Sequence, residues 1–145
     1  MAKTRMLGQL RISRALEMIM EFDPYDFFPE TETHDWEPHR GWLTPQAMNA
    51  ANGMLRLPCQ SYVVRTSHHT VLIDSCIGNH KQRPGRPAWH EKTDDQYLTA
   101  LAQHGLAPED IDFVMCTHMH GDHVGWNTRM EDGRWVPSFP NARYI

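Results

Sequence analysis

The stretch from residue 61 to residue 123 constrains the fold of this chain more than any other. Two β-branched and apolar runs, 61–65 and 70–73, flank Thr66-Ser-His-His and read as a hairpin. Residues 94–105 place Tyr97, Leu98, Leu101 and Ala102 at helical spacing, behind acidic residues and ahead of Gly105, which are matched start and stop signals for a helix. Residues 111–116, apolar and β-rich after Pro108-Glu-Asp, then read as a buried strand. Strand, crossover helix and second strand predict an α/β fold with a parallel pair, and the carboxyl edge of such a sheet is where polar groups are presented. Thr117-His-Met-His-Gly-Asp-His follows that edge directly.

The flanking segments are less decided. In residues 9–22, Leu10 and Ile12 alternate as in a strand, while Ile12, Leu16, Ile19 and Met20 fit one helix face, so both periods stay open. Residues 23–52, broken by Pro24, Pro29, Pro38 and Pro45, read as a long excursion that either borders a site or lies on the surface. No repeat or low-complexity tract divides the 145 residues, so a single domain over 1–145 is expected. His68 and His69 fall at the hairpin turn facing solvent, and His104 suits the last turn of a helix. Trp89 and His90 border a pocket or pack on the surface with equal reason.

Charge and cysteine usage exclude several classes of function. A net charge of -4 with no run of Lys and Arg gives no footprint for a nucleic-acid backbone or an anionic membrane. No apolar run approaches the roughly 18 residues of a spanning helix, and no secretory signal is visible. Cys59, Cys76 and Cys116 are odd in number and unpaired in spacing, which favours buried fillers and a reducing compartment, the cytoplasm.

The loop after the second strand carries the chemistry. Three imidazoles and a carboxylate within residues 118–123 are donors suited to zinc, with iron and manganese also accommodated. His118 and His120 close on one ion if the chain turns just after the strand, a turn Gly121 permits. Asp122 and His123 are adjacent and diverge, so they address a second ion, about 3.5–4 Å from the first in two-metal hydrolases. A helix cap near Val124 explains Asp122 but not three imidazoles in six residues.

Thr117-His-Met-His-Gly-Asp-His-Val-Gly resembles the signature loop of the metallo-β-lactamase superfamily, and Val71-Leu-Ile-Asp74 is similar to its first motif. The hairpin, the Gly78-Asn79 turn, the helix, Trp126-Asn-Thr and Gly133-Arg-Trp-Val-Pro resemble a lactonase-like and esterase-like branch. The likeness runs over roughly 55–145 and is weak before it.

The resemblance implies the N-terminal half of a four-layer αββα sandwich. It further implies that His118 and His120 bind one metal, Asp122 and His123 another, and that Asp74 orients a ligand from behind. Two zinc ions would generate a metal-bound hydroxide that attacks an ester or lactone, a small-molecule substrate, with Asp122 helping to orient it. The family takes a further His, a bridging Asp and a final His from later positions. Here no His follows His123, and Asp132, in an Asp-Gly hairpin turn, is the only later Asp. A domain truncated at its C-terminus is therefore expected, its exposed sheet face calling for a missing half or a partner chain. Two rivals remain in the same fold: a mononuclear iron persulfide dioxygenase, and a truncated, non-catalytic metal-binding fragment. A nuclease is disfavoured by the charge.

Overall fold

A computed structural model describes residues 4–145. The elements in chain order are β1 (Thr4–Leu7), β2 (Leu10–Phe22), the single-turn helices α1 (Pro24–Phe27), α2 (Thr33–Trp36) and α3 (Arg40–Leu43), β3 (Leu55–Arg65), β4 (Thr70–Ile73), α4 (Gln96–Ala102), β5 (Phe113–Met115), β6 (Thr128–Glu131), β7 (Arg134–Pro137) and β8 (Arg143–Tyr144). Six of the strands form one sheet in the order β1-β2-β3-β4-β5-β8, and β6 and β7 form a separate two-stranded ribbon.

The hairpin read from the sequence is β3–β4, antiparallel with Tyr62 opposite Ile73. The crossover then brings β5 parallel to β4, with Ile73 opposite Met115, and β8 extends the parallel edge. Because β4 and β5 run the same way in register, Asp74 and Thr117 leave the sheet at one edge as near neighbours. Val63, Leu72 and Val114 form a buried row across the sheet, and Tyr62, Ile73 and Met115 form the row on the opposite face, where Tyr62 and Met115 are exposed. That alternation corrects the expectation of a wholly buried strand over 111–116: β5 is three residues long and only Val114 of it is buried. The expected helix shortens to α4 for a local reason. Asp94 accepts the Gln96 N–H at 3.0 Å and so precedes the helix rather than joining its first turn, while Gly105 beyond it takes φ +67°.

β2 resolves the ambiguous segment. Its core face alternates through Ser13, Ala15 and Glu17, two of them polar, while the more apolar Ile12, Leu16 and Met18 are half-buried on the other side. A strand whose buried face carries a carboxylate hides its own period. Glu17 is almost fully buried; it accepts the Ile77 N–H at 2.7 Å and the Trp126 indole N–H at 2.9 Å and pairs with Lys92 at 3.0 Å. Burial works against the Lys92 charge, but Asp94 and Glu17 outweigh it and hold the ammonium above its ordinary pKa.

The chain divides into two compact units. One holds the chain up to Met18 and from Cys59 to Ile145, and the other is Ile19–Pro58. The second, the proline-broken excursion with the adjoining strand ends, closes a small core of Leu43, Met48 and Leu55 against Trp36 and Ala47. Within it Asn49 and Asn52 donate to Glu21 at 2.8 and 3.2 Å. In the first unit, Tyr97 and Leu101 of α4 are fully buried, and the Tyr97 hydroxyl meets Ser61 Oγ of β3 at 2.7 Å. Arg65 caps the other end by donating to the His104 carbonyl at 2.7 Å, and the His104 ring reaches the Arg14 carbonyl at 2.9 Å.

Candidate metal centre

The site forms where the chain leaves β4 and β5. The two departing loops are laced by their backbones: Asp74 N–H to Met115 O at 2.8 Å, Ser75 N–H to His123 O at 2.7 Å, Gly125 N–H to Cys76 O at 2.7 Å and Trp126 N–H to Ser75 O at 2.8 Å. So close an approach excludes side chains at the crossing. A Cβ on Gly125 would collide with the Ile77 carbonyl, and one on Gly78 with Gly125. Asp74 and Cys76 adopt left-handed φ of 60° and 49°, a conformation that Asp tolerates better than most residues and that recurs where the surrounding structure holds a site under strain.

Asp74 is the organising carboxylate. It accepts the Thr117 N–H at 2.7 Å and the Thr117 hydroxyl at 2.9–3.0 Å, and its Oδ2 lies 2.9 Å from His123 Nδ1. Burial raises the carboxyl's pKa, but the hydrogen bonds from His123 and Thr117 outweigh it and hold Asp74 below the ordinary carboxylate value. The Thr117 hydroxyl also lies 3.0 Å from His118 Nδ1, a contact in which either atom can donate according to the ring's tautomer. Asp74 and Thr117 therefore back the Nδ1 sides of His123 and His118.

The residues singled out in the sequence are brought together at this edge. The His118 ring lies 4.7 Å from His120 and 3.9 Å from His123, centroid to centroid, and His123 Nε2 is 3.4 Å from Asp122 Oδ2. His118 and His120 are exposed, whereas Asp122 and His123 are half-buried. A turn closes between His120 O and His123 N–H at 3.0 Å. Gly121, assigned to that turn for its flexibility, is not among the residues with positive φ. A Cβ there would lie 3.2 Å from the guanidinium of Arg83, so any larger residue would push that side chain by a few tenths of an ångström.

Among the described residues, the set of three or more metal-type donors lying within 4.8 Å of one another is Glu17, Cys59 and Cys76, not the histidine loop. Those three are buried, and the Glu17 oxygens already serve Ile77, Trp126 and Lys92. Burial, with Cys59 beside it, pushes the Cys76 thiol far up from its usual pKa. They form a structural knot. The loop residues adjoin one another without all meeting that spacing.

His68 and His69 sit exposed at the hairpin turn. His90 accepts the Arg83 N–H at 3.0 Å, and Trp89 lies near the Arg83 and Arg86 guanidinium groups. The three cysteines are free. Sequence reasoning missed Glu17, Arg83 and Thr117 as contributors. Glu17 left a trace as a charge inside an apolar segment, and Thr117 as the first residue of the loop motif; Arg83 left none. Beside the loop, His80, Lys81, Arg83, Thr128 and Trp135 line a groove of about 660 Å³, in which Lys81 Nζ sits 3.5 Å from the Trp135 ring centre.

A family profile described as the metallo-β-lactamase superfamily matches residues 54–145. An N-acyl homoserine lactonase of Agrobacterium fabrum is 28% identical over 97 residues, covering 58% of this chain and 34% of that protein. One of Bacillus cereus is 29% identical over 84 residues, 51% of this chain and 34% of the other. The chain thus spans about a third of the length of these curated relatives. Among solved structures, a probable metal-dependent hydrolase from Staphylococcus aureus superposes with a TM-score of 0.72 at 25% identity, covering 97% of this chain and 47% of that one. A dizinc quorum-quenching lactonase in complex with N-hexanoyl-L-homoserine has a TM-score of 0.74 at 18% identity, over 99% and 43%, a likeness of fold.

Proposed function

The chain belongs to the metallo-β-lactamase superfamily, and from that premise we propose that residues 117–123 are the metal-binding loop of a hydrolase acting on an ester or lactone. The observation that carries this reading is the hydrogen-bond chain from Asp74 to His123, and through Thr117 to His118. It holds the Nδ1 side of both rings from behind, the usual arrangement for metal-binding histidines. The donor set fits zinc: His118 and His120 address one ion, Asp122 and His123 a second. When bound, two such ions supply a nucleophilic water at neutral pH and polarise the carbonyl under attack.

The chain's own residues do the rest. Asp74 and Thr117 orient the rings; Asp122, whose carboxylate edge faces His123, orients the attacking water's proton in addition to its ligand role. The lactone or ester reading draws on the lactonase relatives, whose overall reaction opens a cyclic ester to a carboxylate and an alcohol.

Two donors per ion fall short of the three that catalytic zinc normally takes from protein. The remaining ligands then come from outside these 145 residues, from a C-terminal half or a partner chain, which would also cover the face of Tyr62 and Met115. Free cysteines favour the cytoplasm; no helix among the described residues is long and apolar enough to cross a membrane. Zinc stoichiometry and hydrolysis of an N-acyl homoserine lactone, measured on residues 1–145 and on a version extended by the downstream reading frame, test the proposal. Weak zinc binding by the 145 residues, with tight zinc and turnover in the longer chain lost on His118→Ala, is expected. Iron at one atom per chain without esterase or lactonase activity would instead favour the persulfide dioxygenase.

A further inference from the structure

The backbone of residues 118–122 projects from the sheet with few attachments. Among the described residues, it is held from outside the loop at two carbonyls. Cys59 Sγ reaches Asp122 O at 3.5 Å, a weak thiol contact. Arg83 Nη2 donates to Gly121 O at 2.8 Å, while Nη1 of the same guanidinium donates to Ile77 O at 2.8 Å. Ile77 belongs to the loop that leaves β4, and Gly121 to the loop that leaves β5. A single planar cation therefore spans the two loops that carry Asp74 and the histidines. Its backbone N–H is fixed in turn by His90.

We propose that Arg83 is a positioning residue for the metal loop, a fork that clamps the Gly121 carbonyl to Ile77 and thereby sets where His120 and Asp122 present their donors. The proposal rests on reading residues 117–123 as the metal loop. Three features converge on it. The fork needs two donors in one rigid plane, which arginine supplies and lysine does not. Gly121 is matched to it, since the guanidinium occupies the space a Cβ would enter at 3.2 Å. Burial lowers the pKa of the guanidinium, and the negative charges of Glu17, first, and of Asp122 act against that shift.

The clamp is tested in two readouts, neither of which is turnover. In the metal-free chain, amide hydrogen exchange of residues 118–123 in Arg83→Ala and Arg83→Lys is expected to rise about tenfold. The amides of Leu72 and Val114 should keep their protection, which separates loop release from general unfolding. Zinc affinity by chelator competition is expected to fall about tenfold in both variants, in the range seen when support behind metal ligands is lost. Gly121→Ala should perturb loop exchange in the wild-type background and add little in Arg83→Ala, because contacting residues couple non-additively. Native loop exchange in Arg83→Ala, or full additivity with Gly121→Ala, would overturn the clamp. Failure of the longer chain, with its full ligand set, to bind zinc would instead remove the metal reading, and the exchange arms would still decide whether Arg83 holds the loop.

Discussion

Replacing Glu17 by Gln is the sharpest probe of how this domain is held together, because the two side chains match in size and differ only in charge and in one acceptor. Each carboxylate oxygen has work to do: Oε1 accepts from Trp126 Nε1 at 2.9 Å and from Lys92 Nζ at 3.0 Å, and Oε2 from Ile77 N–H at 2.7 Å. A glutamine keeps one acceptor and turns the other into an NH₂ donor. If its oxygen stays with Ile77, the amide confronts the indole N–H and the ammonium; flipped, it confronts the Ile77 N–H. A buried N–H left without an acceptor costs about 1–3 kcal/mol. Loss of one partner from a buried ion pair costs about 3–5 kcal/mol, reduced here because Lys92 keeps Asp94 at 2.8 Å. The expected loss is roughly 3–4 kcal/mol against a total of about 5–15 kcal/mol. Urea unfolding followed by tryptophan fluorescence should show the midpoint falling by about 1–2 M with an unchanged slope. Adding Lys92→Met should cost less than its effect in the wild type, a coupling of about 1–2 kcal/mol. A midpoint within about 0.3 M of wild type would refute the assignment of Glu17 as the buried hub.

Three further outcomes follow from the same geometry. Asp74→Ala should weaken zinc binding by about 10–100-fold in chelator competition, since it frees both His123 Nδ1 and Thr117; unchanged affinity would reduce Asp74 to a strand-end residue. Gly125→Ala should destabilise by about 3 kcal/mol, as its methyl enters the Ile77 carbonyl, and a thermal melt equal to wild type would show that the loops can separate at little cost. Lys81 has its pKa lowered to about 8 by burial and by Arg83. Over the window from about 8 to its ordinary 10.5 the folded chain binds fewer protons than the unfolded one, so stability should rise with pH there, and that rise should flatten in Lys81→Met. Competitive acetylation of Lys81 should show its midpoint near 8, and a midpoint near 10.5 would contradict the buried placement.

Much of the site was legible because its information is local. Three histidines and an aspartate in six residues, placed after an apolar run, announce metal chemistry without any knowledge of the rest of the chain. The β3–β4 hairpin, α4 and the Asp132-Gly133 turn of the β6–β7 ribbon likewise follow from short-range pattern, since period and turn residues are properties of neighbouring side chains. Asp74 was reachable through family resemblance, and the parallel register of β4 and β5 is what places it beside Thr117.

The rest depended on contacts between residues far apart in the chain. Nothing near Glu17 in sequence explains a carboxylate on the core face of β2; its partners stand at Ile77, Lys92 and Trp126, so only folding turns an apparent break in the pattern into a buried hub. Arg83 is one cation in a proline-rich loop until the fold lays it between the carbonyls of Ile77 and Gly121. Gly121 itself read as a flexible turn residue, whereas in the structure its missing side chain leaves room for the Arg83 guanidinium. Composition and spacing determine which donors this chain can offer a metal, because donor chemistry belongs to the residue. Which partner backs each imidazole, and what keeps the loop in place, only the tertiary structure decides, because Asp74 comes to His123 from 49 residues away and to Thr117 from 43, and Arg83 comes to Gly121 from 38.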